Sequence, residues 1–308
     1  MNPIHLSAWD VGLAAVSVLA NAAASLALGL RLHRPMLWSA VRMVAQLVLV
    51  GLLLRIVFHA ASPWVTAGLC LLMVAATVRE AATRPGARLR RGGNFRISAW
   101  AVSLSSIATV VLALLTAIRP DPWFDPRFAI PLMGMVLGTV LNAVSLGLQD
   151  FLDGLRQGRA GIEARLALGD TTRQALAPLV RAAAHKAMIP LFNQMSAAGI
   201  ITLPGAMTGQ LLAGMDPMEA VKYQIMLMLW LSGAGAAAAM ATVHLAARAM
   251  VDERQRLRLG ARRRHHVPAA MRPTAFFRAW SGTGRARRSS RAHPGAWPPS
   301  RRGRPMRC

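Results

Sequence analysis

The chain has 308 residues, of which 54% are hydrophobic and only 16% charged, with mean hydropathy +0.39 and formal net charge +24. A soluble domain carries about 25% charged residues, so this composition excludes a globular protein that coats itself in charge. The arginine excess is thin in the apolar stretches and dense in the connections and the tail, where positive charge sets membrane orientation rather than marking a nucleic-acid binder.

The first apolar run, 7–30, carries Asp10 near its start and is followed by Arg31 and Arg34. A cleavable signal has the opposite order, positive charge before the apolar core, so this run is expected to stay as a span, with the small residues 22–24 serving helix packing. Further spans are expected at 36–58, 64–78, 97–118, 128–148, 187–214 and 223–247. A crossing helix needs roughly 20 mostly apolar residues, and 97–118 contains no charged side chain. The fold class is therefore all-α, a polytopic membrane bundle of about seven transmembrane helices.

The connections alternate in charge. Arg31 and Arg34, then Arg79, Arg84, Arg88, Arg90, Arg91 and Arg96, then Arg156, Arg159, Arg165, Arg173, Arg181 and Lys186 fall on one side. The other side carries His5, His59, the segment 119–127 (RPDPWFDPR) and 215–219 (MDPME). The positive-inside rule places the N-terminus outside and the C-terminus in the cytoplasm, with Trp64, Trp123 and Phe124 at the outer boundary. Gly134 with Gly138, Gly205 with Gly209, and the small residues 233–239 permit close helix approach, within one chain or between two.

The sixth expected span is interrupted at Leu203-Pro204-Gly205. Proline removes a backbone donor, and freed backbone at membrane depth is tolerated where it is buried in protein or lines a watery cavity. Residues 202–210 are thus a candidate pathway lining, with a plain packed kink as the alternative. Polar residues inside spans extend this candidate set: Arg42 and Gln46 one turn apart, Asn142, Asn193, Gln194, Ser196, Thr202, Gln210 and Gln224. Among 17 methionines, Met133, Met135, Met195 and Met207 offer soft sulfur, although core filling explains most of them. No His/Cys/Asp/Glu set with metal-site spacing is present, so neither a metal centre nor a catalytic constellation is expected.

The cytoplasmic stretch 149–186 connects the fifth and sixth spans. Residues 163–169 read as a short helix closed by glycine, with Ile162 and Leu166 on one face, and 171–174 (TTRQ) reads as a capping box opening the next helix. Two helices with a sharp turn suit docking on a partner; an ordinary amphipathic surface helix is the alternative. From residue 260 onward the chain is Arg-, Pro-, Ser- and Gly-rich and carries more than half of the net charge, so 260–308 is expected to be a disordered tail on a membrane domain spanning 1–259.

Glu163-Ala164 followed by Gly169 resembles the coupling segment by which ABC-transporter permeases dock on their ATPase. Segments 38–47 (WSAVRMVAQL), 163–171 (EARLALGDT), 203–214 (LPGAMTGQLLAG), Asp216-Pro217 and 222–225 (KYQI) resemble the FetB-type iron-export permeases, whose plant relatives include aluminium-tolerance membrane proteins. One departure is Gly138-Thr139, where the family pattern is Gly-Asn. The resemblance implies a permease for iron or another metal in the inner membrane, working as a homodimer with a separate cytoplasmic ABC ATPase that holds ATP and magnesium. Glu163, Ala164, Leu166, Gly169, Asp170 and Thr171 would couple to that ATPase. Arg42, Gln46, Asn142, Asn193, Thr202, Pro204, Gly205, Met207 and Gln210 would be candidates for the path. The chain has no phosphate-loop motif of its own: Lys186 and Lys222 are the only lysines and neither follows a glycine. It is expected to hold no cofactor and to bind lipid rather than nucleic acid. A permease for a different small substrate, an intramembrane enzyme and a scaffold with a basic tail are the competing readings; the enzyme lacks acids at depth.

Overall fold

The protein is described by a computed structural model over residues 7–60, 62–86, 89 and 92–250. The expected 260–308 tail lies outside the described residues. These hold nine α-helices: α1 (Ala8–Ala27), α2 (His33–Ala60), α3 (Pro63–Thr83), α4 (Gly93–Ala113), α5 (Pro126–Gln157), α6 (Arg159–Ala167), α7 (Thr172–Ala197), α8 (Gly205–Leu212) and α9 (Pro217–Ala249). Six of them, α1 to α5 and α9, are long and apolar enough to cross a membrane. The all-α polytopic bundle read from the sequence is the architecture observed.

Local chemistry sets the helix starts. Ser7 and Asp10 form a capping box on α1, each side chain accepting from the other's backbone amide. Asp125 and Asp216 cap α5 and α9, and each is followed by a proline at the first helical position, where the missing N–H costs nothing. α4 finishes in a wide turn over Leu114–Ile118, with the Arg119 amide donating to the Leu114 carbonyl at 2.9 Å.

α5 and α9 form the axis of the bundle, with α3 and α4 on one side and α7 on the other. Val74, Val102, Val136, Val140, Leu227, Ala234 and Ala238 form one apolar cluster along it. Ile97, Leu148, Phe151, Leu155, Leu176, Val243 and Met250 form a second cluster at the end where α5 and α9 finish and α7 begins. The α1–α2 hairpin packs on itself and touches α3 and α5 lightly. A polar link, Arg42 to Glu80 at 2.9 Å, ties α2 to α3.

The expected span 187–214 is not one helix. α7 begins at Thr172, beside the C-terminal end of α5, and stops at Ala197; the chain turns, then α8 runs for 8 residues to within a few residues of α9. α9 is 33 residues long, about 50 Å at 1.5 Å per residue. Since α7 starts near the C-terminal end of α9 and α8 finishes near its N-terminal end, α7 and α8 together traverse the bundle as a discontinuous helix. Proline at 204 explains why the sequence reads as one apolar run and folds as two pieces.

The stretch 149–186 is likewise not a loop. α5 continues to Gln157 and α7 already begins at Thr172, so only α6 and its two short junctions lie outside these long helices. Within this chain the two spaced glycine pairs make no close helix approach, whereas the small-residue stretch 233–239 does, at Gly235. A Cβ on Gly138, Gly205 or Gly209 would meet nothing within 4 Å, and one on Gly134 only the tip of Met73. Close approach happens instead at Gly147, against Val243 and Ala187, at Gly154, against Leu179, and at Gly235, against Thr139 and Leu191.

Candidate functional site

Two features are joined by α7. At its far end lies a cleft of about 370 Å³. α5 contributes Gly134, Met135, Gly138, Thr139 and Asn142; α7 contributes Pro190, Leu191 and Gln194; α8 contributes its first residues, with Pro204 before them; α9 contributes Gln224, Leu227, Met228 and Gly235. The glycines that touch no neighbour are what leave this space open. Every lining side chain is uncharged.

The break that forms the cleft is a defined turn. Gly199 adopts φ +92, a conformation open to glycine, and its amide donates to the Thr202 carbonyl at 3.0 Å. The amides of Ile201 and Thr202 both donate to the Ala197 carbonyl. Pro204 then caps α8 with no side-chain oxygen on its amides, while Thr208 makes the first intrahelical bond back to the Pro204 carbonyl at 3.1 Å.

Of the path candidates, Asn142, Gln194, Pro204, Gly205 and Gln224 line the cleft. The others sit elsewhere. Arg42 is on α2, half-exposed and paired with Glu80, and Gln46 is exposed on the same helix. Asn193 is exposed beside the lining residue Gln194. Thr202 donates its hydroxyl to the Ala197 carbonyl at 3.3 Å and so braces the turn. Met207 and Gln210 lie half-buried further along α8. Of the methionines, Met133 is core, Met195 and Met207 are off the cleft, and Met135 lines it. Among the described residues no three His, Cys, Asp or Glu side chains gather as a metal site would require.

At the other end of α7 is a sharp corner. α6 is anchored by Ile162, 7% exposed, and half-buried Leu166, which join the cluster made by α5, α7 and α9. Gly169, at φ +98, lets the chain reverse. Thr171 and Gln174 form the capping box that opens α7. Glu163 is exposed and paired with Arg159 at 2.7 Å; Ala164 is exposed; Asp170 accepts from Arg165 at 2.8 Å, bracing the corner. Leu168, at the tip of α6, is 87% exposed. Sequence spacing missed this exposed apolar side chain because it falls off the Ile162–Leu166 face.

The chain matches the family described as "Uncharacterised protein family (UPF0014)" over residues 8–251. It belongs to that family. The match takes in every helix from the hairpin to α9, so cleft and corner are both family territory. Within the family it is similar to a UPF0014 membrane protein of Synechocystis, 37% identical over 65% of this chain and 76% of the relative. It is similar also to the probable iron export permease protein FetB of Escherichia coli, 31% identical over 74% and 86%, and to the protein ALUMINUM SENSITIVE 3 of Arabidopsis thaliana, 29% identical over 75% and 83%. No solved structure matches the chain. The family is thus one of membrane proteins that includes a named transport permease.

Thr139 and Pro190 line the cleft although the sequence did not place them among the path candidates. Thr139 was visible only as a departure from the family's Gly-Asn. Its hydroxyl donates to the Met135 carbonyl at 3.2 Å and its methyl packs at Gly235.

Proposed function

We propose that this protein is the membrane-spanning subunit of an ABC transporter that exports iron or another metal across the inner membrane, as a homodimer, using ATP hydrolysed on a separate cytoplasmic ATPase. The observation that carries this reading is mechanical: one continuous helix, with prolines at 178 and 190, joins a presented corner to a cleft. α7 runs 26 residues, about 39 Å, from the Gly169–Thr171 corner to Ala197, just past the lining residue Gln194. Ile162 locks α6 into the same apolar cluster as the ends of α5, α7 and α9. Close-packed interiors transmit displacement rather than absorb it. Pulling on α6 therefore rocks α7 against the break at 198–204 and changes the width of the cleft.

In this reading α6 faces the cytoplasm, as the arginine-rich connections demand. Leu168 fills an apolar pocket on the ATPase and Glu163 meets its charged rim. The cargo assignment rests on the relative named as an iron export permease.

The test is co-purification of the chain with the ATPase encoded beside it, comparing the native protein with Glu163→Arg, Leu168→Asp and Gly169→Pro. Leu168→Asp is expected to cut recruitment at least ten-fold, since a buried unpaired carboxylate at an interface costs several kcal/mol. Gly169→Pro is expected to do likewise, because its φ of +98 is closed to proline. Recruitment unchanged in all three variants would overturn the coupling role.

A further inference from the structure

We infer that a second copy of this chain seats on the mouth of the cleft, along the exposed face of α7 and α8, and that the two copies complete each other's hydrogen bonding there. This rests on the homodimer of the proposed reading and assigns it a face. Asn142 on α5 and Asn193 and Gln194 on α7 are all exposed, and none of their side-chain amides makes a hydrogen bond among the described residues. They stand at membrane depth. A Cβ on Gly235 would meet Thr139 at 3.0 Å and Leu191 at 3.6 Å, so these three share one level. Gly235 lies about 27 Å from the start of α9 and about 21 Å from its end. Asn142 follows Thr139, and Asn193 and Gln194 follow Leu191, each within one helical turn. A hydrocarbon core is about 30 Å thick, so all three amides fall inside it. Acyl chains offer an amide no partner, and polar side chains at that depth face protein or a watery cavity.

The occupant that fits is this chain itself. A side-chain amide carries both donors and an acceptor, so Asn and Gln can pair with their own counterparts. Two copies insert in the same orientation, so the two-fold between them runs along the membrane normal and equal residues meet at equal depth. α8 supplies the close approach. Gly205, Thr208 and Gly209 are exposed on it, and a Cβ on either glycine would meet nothing of its own chain within 4 Å. Membrane helices associate through such small residues and through interhelical amide hydrogen bonds, and this face carries both. The outer face of α4 differs: it presents Trp100, Leu104, Ile107 and Val111, which suit lipid. The rest of the chain, 251–308, follows the opposite end of α9 and is too rich in arginine to enter the core of a bilayer. Asn142, Gln194 and Gly205 both line the cleft and stand exposed, so the second copy closes a space that one copy leaves open.

Cysteine cross-linking reports the face. In a full chain carrying Cys70→Ser and Cys308→Ser, the variants Asn193→Cys, Thr208→Cys and, on the outer face of α4, Leu104→Cys are oxidised with copper phenanthroline in native membranes. Asn193→Cys and Thr208→Cys should each give a species of twice the chain mass, with about ten-fold less from Leu104→Cys. Gly209→Leu, added to Asn193→Cys, should cut that cross-link about five-fold. Its thermal midpoint should stay near native, because a Cβ at 209 meets open space within its own chain. The native chain in nanodiscs, weighed by mass photometry, should contain two copies. Two copies with no cross-link at 193 or 208 would overturn the inference and leave the homodimer standing on another face. A single copy would overturn both. A cross-linked species of any other mass means a different protein on this face. That result, a Leu104→Cys yield equal to the other two, or a cross-link undiminished by Gly209→Leu would each overturn the inference.

Discussion

At Glu80 two guanidiniums converge, Arg42 from α2 at 2.9 Å and Arg84 from the next turn of α3 at 3.5 Å. An arginine in an apolar run reads as a path residue because charge at membrane depth is costly. Its partner here lies 38 positions away on another helix, a separation that no local spacing rule reaches. The pair ties a loosely packed hairpin to the bundle. Glu80→Gln is expected to raise amide exchange selectively across α1 and α2, by up to about five-fold, as fits an exposed pair worth about 0.2–1 kcal/mol. The double reversal Arg42→Glu with Glu80→Arg should restore native exchange; unchanged exchange in the single variant would show that the pair holds nothing. The same limit governs the cleft. Gly205 and Pro204 were legible because proline breaks a helix wherever it stands, whereas Asn193 and Gln194 are adjacent and polar, and only the rotation of α7 decides that Gln194 alone lines the space.

Among the helices, start signals read from the sequence hold where the chemistry is local. The capping box of Thr171 and Gln174 forms as its spacing predicts, with Thr171 Oγ1 accepting from the Gln174 amide at 3.4 Å and donating to Oε1 of Gln174 at 2.7 Å. Thr171→Ala is expected to cost about 1 kcal/mol, seen as a lower unfolding midpoint in detergent, with Thr171→Ser close to native. Asp125-Pro126 and Asp216-Pro217 carry an equally local signal, a cap followed by proline at the first helical position. These starts lie outside the hydropathic windows 128–148 and 223–247, which is why apolar character alone placed both helices several residues too short. α7 was legible only in halves: its first half is polar enough to pass for a loop and its second apolar enough to pass for a span, and continuity across Ala187 comes from packing against Gly147.

For the whole molecule, packing of α5, α7 and α9 decides which small residues matter. Gly235→Val is expected to destabilise by about 1–3 kcal/mol, because its Cβ would already stand 3.0 Å from Thr139 and the interior is full. Gly138→Ala should leave stability within about 0.5 kcal/mol, since nothing lies within 4 Å of that Cβ. Thermal midpoints in detergent compare the two, and equal losses would refute this division of labour. Sequence by itself determined that the protein lives in lipid, that it is helical throughout its apolar runs, and that its chain breaks at Pro204 and turns at Gly169, because solvent preference and backbone sterics act within a few residues. Tertiary structure alone decided where the two pieces of the interrupted run begin and end, that Gly147 and Gly154 bring helices of this chain together where the spaced glycine pairs do not, and that Thr139, Gln194 and Gln224 share one cleft. Those outcomes depend on the rotation and depth of each helix against its neighbours, which are set by contacts between residues dozens of positions apart.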